Sequence, residues 1–390
     1  MILKNLTIMP SFIKLFDEIV TNSSDESRRK GSKLDTIKIN VNSETGEIVV
    51  EDNGGIPVVI HSETLEYVPQ MIFTNLRAGS NFNDNVSDAV AGTNGLGSKL
   101  TAIFSKEFKI ETCDGKKSFK MDVKDNMSIK SEPIVKDVKS SKGYTRISYK
   151  PDYEKLKMDN IDNDNLLMLK LRAYEIAACN PKLKVFFNDY KIDFKSFKDY
   201  IAMYTKNIND NVYIEQEGWR VGITFNDFET QHTSYVNGIR TIVGGTHVDH
   251  VLNSLVDVLR EKIEKKTKQS IRPSDIRNNI HVFIDCDINN PKFTSQTKEK
   301  MINQPSGFDN KFNIDESLAK KILNGDIFKK IIEWAMRKKD IDDLKNIEQR
   351  ENAVRKSGFY DIPKYRPATS KSRKECSLFL SEGDSANAPL

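Results

Sequence analysis

The chain has 390 residues, of which 38% are hydrophobic and 30% are charged, and its formal net charge is +4. This length predicts two or three domains of about 100–200 residues each, and the hydrophobic fraction excludes a wholly disordered chain. The 60 basic and 56 acidic residues nearly balance, which argues only weakly for a DNA-facing surface. The four cysteines lack zinc-type spacing, no apolar run approaches about 18 residues, and no signal peptide is recognisable. We therefore expect a cytoplasmic protein with no membrane partner.

The first predicted element is a helix with one apolar face. Its apolar residues recur at i, i+3, i+4, i+7 and i+8, the period of a helix that packs on a core: Phe12, Leu15, Phe16, Ile19 and Val20. Glu18 and Asn22 share a flanking face one turn apart. A carboxylate there could activate a water, and an amide oxygen could bind the Mg²⁺ of a nucleotide. An ordinary amphipathic helix is the competing interpretation of this segment alone.

Strands, turns and a glycine-rich loop are predicted next. Strands over 37–41 and 48–50 form a hairpin that ends at Asp52-Asn-Gly-Gly-Ile-Pro57. A polar segment leads into the glycine-rich loop 91–99 and a helix over 100–105. Further elements complete an α/β sandwich: strands over 108–112, 119–123, 145–149 and 184–187, and a helix over 166–179.

A second block begins near Lys195. Its predicted strands cover 212–215, 221–225 and 233–236, and its predicted helices cover 250–266 and 318–339. Residues 340–375 are rich in charge and are predicted to be a linker or an extended connecting helix. Residues 376–380 have a strand pattern that opens onto an acidic turn, as at the start of another α/β domain.

The order of these elements suits the chemistry of ATP. Asp52 could accept a hydrogen bond from the adenine amine, and Gly54 and Gly55 would let the backbone approach the base. Residues 92–99 would offer backbone N–H groups to the phosphates at the start of a helix, with the point charge of Lys99. Each feature alone is weak evidence, and their order within the first hundred residues argues against coincidence.

Four motifs resemble those of the GHKL superfamily, which joins gyrase, heat-shock-90 chaperones, histidine kinases and MutL ATPases: Glu18-Ile-Val-Thr-Asn22, Asp52-Asn-Gly-Gly-Ile-Pro57, Ser80-Asn81 and Asn94-Gly-Leu-Gly-Ser-Lys99. The runs 73–81 and 94–105 are similar to those of the type IIA DNA topoisomerases. Three later signatures agree with that family: residues 235–249, Thr294-Ser-Gln-Thr-Lys-Glu299 and Glu382-Gly-Asp-Ser-Ala386. Within the family the combination most resembles the large subunit of T-even-type phage enzymes.

This resemblance implies an α+β chain with four segments. They are a GHKL (Bergerat) ATPase α/β sandwich over 1–194, a transducer domain with a ribosomal protein S5 domain 2-like fold over 195–339, a linker over 340–375, and the truncated start of a Toprim domain over 376–390. Glu18 is implied as the general base, Asn22 as the Mg²⁺ ligand and Asp52 as the adenine-binding residue, beside Gly54 and Gly55. The other implied nucleotide-binding residues are Ser80, Asn81, Thr93, Asn94, Gly95, Leu96, Gly97, Lys99, Gln296 and Lys298. Lys298 would reach the γ-phosphate from the second domain as a catalytic residue, and Glu382 would be an incomplete remnant of the Toprim metal site.

The implied function is that of the ATP-hydrolysing subunit, or a fragment, of a type IIA DNA topoisomerase. Its cofactors would be ATP and Mg²⁺, and ATP binding would join two copies around double-stranded DNA to drive strand passage. Because the Toprim acids and the DNA-attacking tyrosine are expected beyond Leu390, cleavage would need another subunit or a missing C-terminal region. If the chain is phage-encoded, it would act in the host cytoplasm.

Two departures from the family pattern leave alternatives open. The family commonly has Arg or Lys between the two glycines that are adjacent here as Gly54-Gly55, and the N-terminal arm has no counterpart ahead of Met9. One alternative is a degenerate paralogue that binds nucleotide as an interaction module. A second alternative is a heat-shock-90-like chaperone ATPase, because Asn22-Ser-Ser-Asp25 also resembles that branch. The Gln296-Thr-Lys298 and Glu382-Gly-Asp-Ser motifs disfavour it.

Overall fold

The computed structural model describes residues 4–75, 95–139, 142–205, 211–225, 231–267, 271–356, 368–370 and 372–380. The chain divides into two units, Met1–Ile332 and Glu333–Leu390. Within the described residues, the first unit contains a nine-stranded, a five-stranded and a two-stranded sheet. None of the helices described there is long and apolar enough to cross a membrane.

The nine-stranded sheet is built mainly of antiparallel pairs. Its strands are β1 (Thr36–Asn42), β2 (Glu47–Asp52), β3 (Ser105–Cys113), β4 (Lys117–Lys124), β5 (Ile129–Lys130), β6 (Ile134–Asp137), β7 (Tyr144–Pro151), β8 (Lys184–Phe187) and β9 (Tyr190–Ile192). They lie in the order β5-β4-β3-β7-β2-β1-β8-β9, with β6 beside β4, and β1 and β8 are parallel. Buried and exposed residues alternate along β1, so one face of the sheet is covered and the other is open.

Four helices accompany this sheet: α1 (Pro10–Arg28), α2 (Val68–Thr74), α3 (Gly97–Ile103) and α4 (Asn163–Cys179). Pro10 occupies the first turn of α1, where a missing N–H costs nothing. The predicted apolar stripe of α1 is buried in the main core together with the inner residues of α4 and the sheet. That packing leaves the Glu18 and Asn22 flank of α1 at the edge of the core.

The five-stranded sheet has the order β10-β11-β15-β12-β13. Its strands are β10 (Asn211–Gln216), β11 (Trp219–Phe225), β12 (Gln231–Val236), β13 (Ile239–Arg240) and β15 (Ile280–Cys286), and β14 (Gly244–Gly245) pairs separately with β16 (Lys300–Met301). The helices are α5 (Phe197–Ala202), α6 (Thr246–Thr267), α7 (Pro273–Arg277), α8 (Glu316–Asn324) and α9 (Asp326–Lys356). The sequence analysis missed β15, which is buried along nearly its whole length and lacks a regular apolar–polar alternation, although β15 is the central strand.

The two large sheets meet inside the first unit through an aromatic cluster and two ion pairs. Phe197, Tyr200 and Tyr235 pack with the C-terminal end of α4, and the hydroxyl groups of Tyr200 and Tyr235 are 2.9 Å apart. Arg28 of α1 forms an ion pair with Asp287 at 2.8 Å. A second pair joins Arg240 of β13 to Glu175 of α4 at 3.0 Å.

The helix prediction for residues 318–339 is corrected. The single helix expected over 318–339 is two helices, α8 and α9, because Gly325 between them has an extended backbone, with φ −74° and ψ 158°, and glycine is a poor helix former. The first part of the charged segment 340–375 is helical as far as Lys356, which agrees with the connecting helix that was one of its two predicted forms.

The strand predicted over 376–380 is wrong for this structure. These residues lie outside any helix or strand, and Leu378 and Leu380 are 79% and 89% exposed. An apolar strand needs a partner strand and a covering layer, and no strand in the described part of the chain pairs with it. Residues 381–390, including Glu382, lie outside the described residues, so the start of a Toprim domain stays a prediction.

Candidate functional site

One cavity in the first unit collects most of the predicted site residues. It has a volume of about 720 Å³ and lies among α1, the turn after β2, α2, the start of α3 and the loop before β16. Ten of the predicted residues line it: Glu18, Asn22, Asp52, Gly55, Gly95, Leu96, Gly97, Lys99, Gln296 and Lys298. Gly54 adjoins the cavity without lining it, and Ser80, Asn81, Thr93 and Asn94 lie outside the described residues.

Helix α1 presents Glu18 and Asn22 to this cavity. The Glu18 side chain is 13% exposed, and its Oε1 lies 2.9 Å from Lys14 Nζ. Lys14 Nζ also lies 3.4 Å from Asp17 Oδ2. Burial alone would lower the pKa of Lys14, but the charges of Asp17 and Glu18 outweigh it and raise the pKa. Lys14 therefore stays an ammonium that holds the Glu18 carboxylate in place.

The start of α3 approaches Glu18 closely. A Cβ added to Gly97 would lie 1.7 Å from Glu18 Oε2 and 2.5 Å from its carboxyl carbon. Only a glycine leaves room for the carboxylate at this position. The glycine-rich loop and the candidate base are thus packed directly against each other.

Asp52 closes another part of the cavity with a buried carboxylate. Ser23 Oγ donates to its Oδ2 at 2.6 Å, and the Gly54 N–H donates to its Oδ1 at 2.9 Å. Burial raises the pKa of Asp52 to about 6, although both hydrogen bonds oppose the shift. A carboxylate with two fixed donors has its remaining lone pairs directed by the protein.

The shortened Gly54-Gly55 turn is followed by a backbone segment that two side chains hold, one from strand β3 and one from the residue after that strand. The Ile56 N–H donates to Thr112 Oγ1 at 3.0 Å, and the Val58 N–H donates to Asp114 Oδ2 at 3.0 Å. A Cβ on Gly55 would lie 2.4 Å from the Cys113 carbonyl oxygen. The adjacency of the two glycines therefore leaves an ordered turn, with Asp52 and Gly55 both at the cavity wall.

Replacing Asp52 with asparagine is expected to stabilise the fold at pH 8 and to have little effect near pH 4. Because the pKa rises from 3.8 to about 6 on folding, the unfolded chain releases this proton first, and stability falls as the pH increases through that interval. Above pH 6 the loss is about 3 kcal/mol, which asparagine avoids. Calorimetry should show a melting temperature higher by about 5 °C at pH 8. An equal shift at both pH values would contradict this account of the buried carboxyl group.

Two buried lysines supply positive charge to the cavity. Lys99 of α3 is 1% exposed, and burial lowers its pKa to about 8. Lys298 is 5% exposed and its charge contributes to the low pKa of Asp17. An anion that entered the cavity would restore full ionisation to Lys99, since a nearby opposite charge favours the charged form.

The backbone of Lys298 is unusual. Its φ of 61° lies in the left-handed region, which costs a non-glycine residue about 1–2 kcal/mol. The Lys298 N–H donates to the Ser295 carbonyl oxygen at 3.1 Å, which closes a tight turn through Gln296. Such strain persists only where the surroundings fix it, and it clusters at functional sites.

The sequence analysis missed several residues of the cavity wall. The apolar wall comprises Ile19, Val50, Ile56, Pro57, Val68, Met71, Ile72, Phe73 and Ile147, and the further polar groups are Ser23, Asp25, Glu26, Arg29, His61 and Thr145. The inward alternation of β7 could have indicated Thr145 and Ile147. The spacing of four residues could have indicated Lys14 as a partner of Glu18. No sequence signal points to His61.

Comparison with known proteins gives consistent matches. The family model described as DNA gyrase B matches residues 196–351. Over 401 aligned residues the chain is 37% identical to a DNA topoisomerase 2 from Drosophila melanogaster, with all of this chain covered. The chain spans 27% of that relative's length.

Solved structures extend the similarity to the fold. The ATPase region of topoisomerase II from Saccharomyces cerevisiae is 35% identical with a TM-score of 0.78, covering 85% of this chain and 88% of that one. The ATPase and transducer domains of DNA topoisomerase II from Balamuthia mandrillaris are 33% identical with a TM-score of 0.81, covering 86% and 87%. The expected α+β fold, a GHKL ATPase with a transducer domain, is confirmed. The chain belongs to the type IIA DNA topoisomerase family and corresponds to its ATPase region.

Proposed function

We propose that this chain binds Mg·ATP in the cavity and hydrolyses it, as the ATPase subunit or portion of a type IIA DNA topoisomerase that passes one DNA segment through another. The observation that supports the proposal most is the placement of Glu18, Asp52 and Lys298 around one cavity. These residues come from three distant parts of the sequence and offer a proton acceptor, a fixed acceptor for a base, and a cation.

The cavity suits a nucleotide in size and polarity. Its volume of about 720 Å³ falls within the range of about 300–1,000 Å³ for ligand sites. The apolar wall would cover the faces of a purine, and the buried carboxylate of Asp52 would accept a hydrogen bond from its amine. Lys99 and Lys298 would attract the phosphates.

Hydrolysis follows from what the side chains can do. Glu18 would take the proton of the attacking water, and Lys14 would keep the carboxylate oriented through their 2.9 Å contact. Lys298 would stabilise the charge that develops on the terminal phosphate. Its origin in the loop before β16 would let the transducer domain sense whether that phosphate is present.

Asn22 suits a magnesium ion that is shared with the substrate. Its side chain is exposed at the cavity, one turn from Glu18, and offers a hard amide oxygen. No group of three or more His, Cys, Asp or Glu side chains that could hold a metal is present among the described residues. The ion would take its other ligands from phosphates and water, as Mg²⁺ commonly does, and when bound it would offset the phosphate charge.

The wider topoisomerase activity remains part of this proposal. ATP binding would join two copies of the chain around double-stranded DNA, and a DNA-cleaving subunit or region would complete the enzyme. The similarity to the ATPase region of yeast topoisomerase II supports this reading. Light scattering with and without a non-hydrolysable ATP analogue tests the dimer, since a mass that stays monomeric with analogue bound contradicts it.

Finer assignments are proposed on the sequence motifs. They are a relationship to the large subunit of T-even-type phage topoisomerases, and segment boundaries after residues 194, 339 and 375. Limited proteolysis tests the boundaries after residues 194 and 375, because cleavage should concentrate near them. The boundary after residue 339 falls inside α9, where a continuous helix should resist cleavage. The genomic context of the sequence tests the relationship to phage topoisomerases.

Replacing Gly97 with alanine is expected to slow hydrolysis by roughly 10²-fold, because a misplaced base loses most of a general base's contribution. The new Cβ would collide with the Glu18 carboxyl group. Phosphate release measures the effect. Gly307→Ala is the matched control, since nothing lies within 4 Å of a Cβ there, and equal rates for the two variants would contradict the prediction.

Steady-state phosphate release from ATP tests the proposed function itself. We expect measurable turnover that requires Mg²⁺. Nucleotide binding without any turnover would instead favour the degenerate paralogue.

A further inference from the structure

A continuous series of oppositely charged side chains links helix α1 to the five-stranded sheet. Arg172 Nε lies 2.5 Å from Asp17 Oδ1, and Arg172 Nη1 lies 3.5 Å from Glu175 Oε2. The other oxygen of Glu175 lies 3.0 Å from Arg240 Nη1. We call Asp17, Arg172, Glu175 and Arg240 the ionic chain.

The ionic chain is largely shielded from water. The side chains of Asp17, Arg172 and Glu175 are 14%, 8% and 2% exposed, and that of Arg240 at the end is 34% exposed. Asp17 pairs with Arg172 and Glu175 pairs with Arg240, so the four charges sum to zero. In such surroundings electrostatic interactions are strong and an unpaired charge is costly. The position of each member is therefore fixed by its neighbours.

The two ends of the ionic chain lie at places that matter for hydrolysis. Asp17 directly precedes Glu18 on α1, and both carboxylates contact Lys14. Thr21 Oγ1 also donates to Asp17 at 3.3 Å. At the other end, Arg240 is the last residue of β13 in the five-stranded sheet. The ionic chain thus connects the turn of α1 that carries Glu18 to the five-stranded sheet.

We propose that the ionic chain positions the turn of α1 that carries Glu18. The contact of Arg240, in the five-stranded sheet, with Glu175 of α4 would then set the orientation of Glu18. This inference rests on the proposed function of Glu18 as the base. Arg172 satisfies Asp17, which leaves Lys14 to orient Glu18. Loss of Arg240 frees Glu175 to draw Arg172 away from Asp17, and Asp17 then competes with Glu18 for Lys14.

A second ion pair offers a matched control. Arg28 lies on the same helix, contacts Asp287 at 2.8 Å and donates to the Cys179 carbonyl oxygen at 3.1 Å. Its side chain is 12% exposed, against 34% for Arg240. A purely structural role for these contacts predicts the larger loss for the more buried Arg28. The positioning role predicts the larger loss for Arg240.

The kinetic test compares Arg240→Met, Arg240→Lys and Arg28→Met. We expect kcat for ATP hydrolysis to fall about 10-fold in Arg240→Met with KM within twofold. Arg240→Lys should recover most of the rate, because a single contact joins Arg240 to Glu175, and Arg28→Met should stay within twofold. An equal fall in Arg28→Met, or no fall in Arg240→Met, would overturn the proposal.

A double-variant test asks whether the ends act together. Asp17 and Arg240 share no direct contact, and independent sites combine multiplicatively in rate. If both act through the ionic chain, Asp17→Asn with Arg240→Met should be no slower than the slower single variant. A fold-reduction in rate equal to the product of the two single fold-reductions would contradict coupling through the ionic chain.

Hydrogen exchange decides the question without turnover. In the nucleotide-free protein, Arg240→Met should speed amide exchange in residues 10–21 of α1, and Arg28→Met should do so only in residues 22–29. The same pattern in both variants, or unchanged exchange in residues 10–21 of Arg240→Met, would overturn the proposal. Absence of ATP hydrolysis in the wild-type chain would count against the proposed function and leave the exchange result to decide the positioning role.

Discussion

Replacing Glu18 with glutamine is expected to reduce ATP turnover by roughly 10²–10⁴-fold, the usual contribution of a general base. Glutamine keeps the size of the side chain and leaves Gly97 its room. It cannot accept the proton of the attacking water at neutral pH. Nucleotide affinity should stay within a few-fold, because Asp52 and the lysines are untouched. Single-turnover phosphate release, with a parallel binding measurement, separates the two effects.

Glu44→Gln is a suitable control for this substitution. Glu44 is an exposed residue in the turn between β1 and β2, far along the sheet from the cavity. The Glu44→Gln substitution removes one carboxylate from the protein without changing the cavity. Turnover in Glu18→Gln equal to that of Glu44→Gln would remove Glu18 from the role of base.

Replacing Lys298 with methionine is expected to slow hydrolysis by roughly 10²-fold, the size of effect seen when one charge-stabilising donor is removed. Methionine keeps most of the apolar stem that is buried beside the cavity. Adenine binding should persist, since Asp52 comes from the end of β2 and not from this loop. A comparison of ATP with ADP gives the sharper readout. The variant should lose the preference for ATP, because ADP lacks the phosphate that Lys298 would contact.

Lys300→Met is the matched control for Lys298. Lys300 is two residues further on, in β16, and is exposed. A loss of charge from the loop would affect both variants, whereas a specific contact would affect Lys298 alone. Equal rates and equal ATP preference in the two variants would contradict a role for Lys298 as a sensor of the terminal phosphate.

The sequence predicted the first half of the fold well, because its elements carry strong local signals. The apolar period of α1 and the hairpin of β1 and β2 each follow from residues close together in the chain. The central strand β15 was missed because a strand buried on both faces has no alternation. The helix break at Gly325 was missed for another reason, since a single glycine only lowers helix propensity and packing decides whether the helix stops.

The candidate site was predictable in its residues but not in its contacts. Glu18, Asp52 and Lys298 were found from motifs, and the structure brings them to one cavity. The partners that hold them come from unremarkable positions. Arg172 lies 155 residues from Asp17, so only the tertiary fold reveals that pair. Ser23, the donor to Asp52, looked like one more polar residue at the end of α1.

The turn at Gly54-Gly55 illustrates how a departure from a family pattern can be absorbed. The sequence left open whether the missing residue distorts the adenine pocket. In the structure, Thr112 at the end of β3 and Asp114 just after it accept hydrogen bonds from the backbone that follows the turn. Asp52 keeps the two hydrogen bonds that orient its carboxylate. This arrangement supports nucleotide binding in spite of the shorter turn.

Calorimetric titration of the whole chain with a non-hydrolysable ATP analogue and Mg²⁺ tests the central claim most directly. We expect one nucleotide per chain, with a dissociation constant on the order of 1 μM to 1 mM, the usual range of enzyme KM values. The affinity should fall at least 10-fold in Asp52→Leu, which removes the acceptor for the base. No heat of binding to the folded wild-type chain would contradict the nucleotide site and every step built on it.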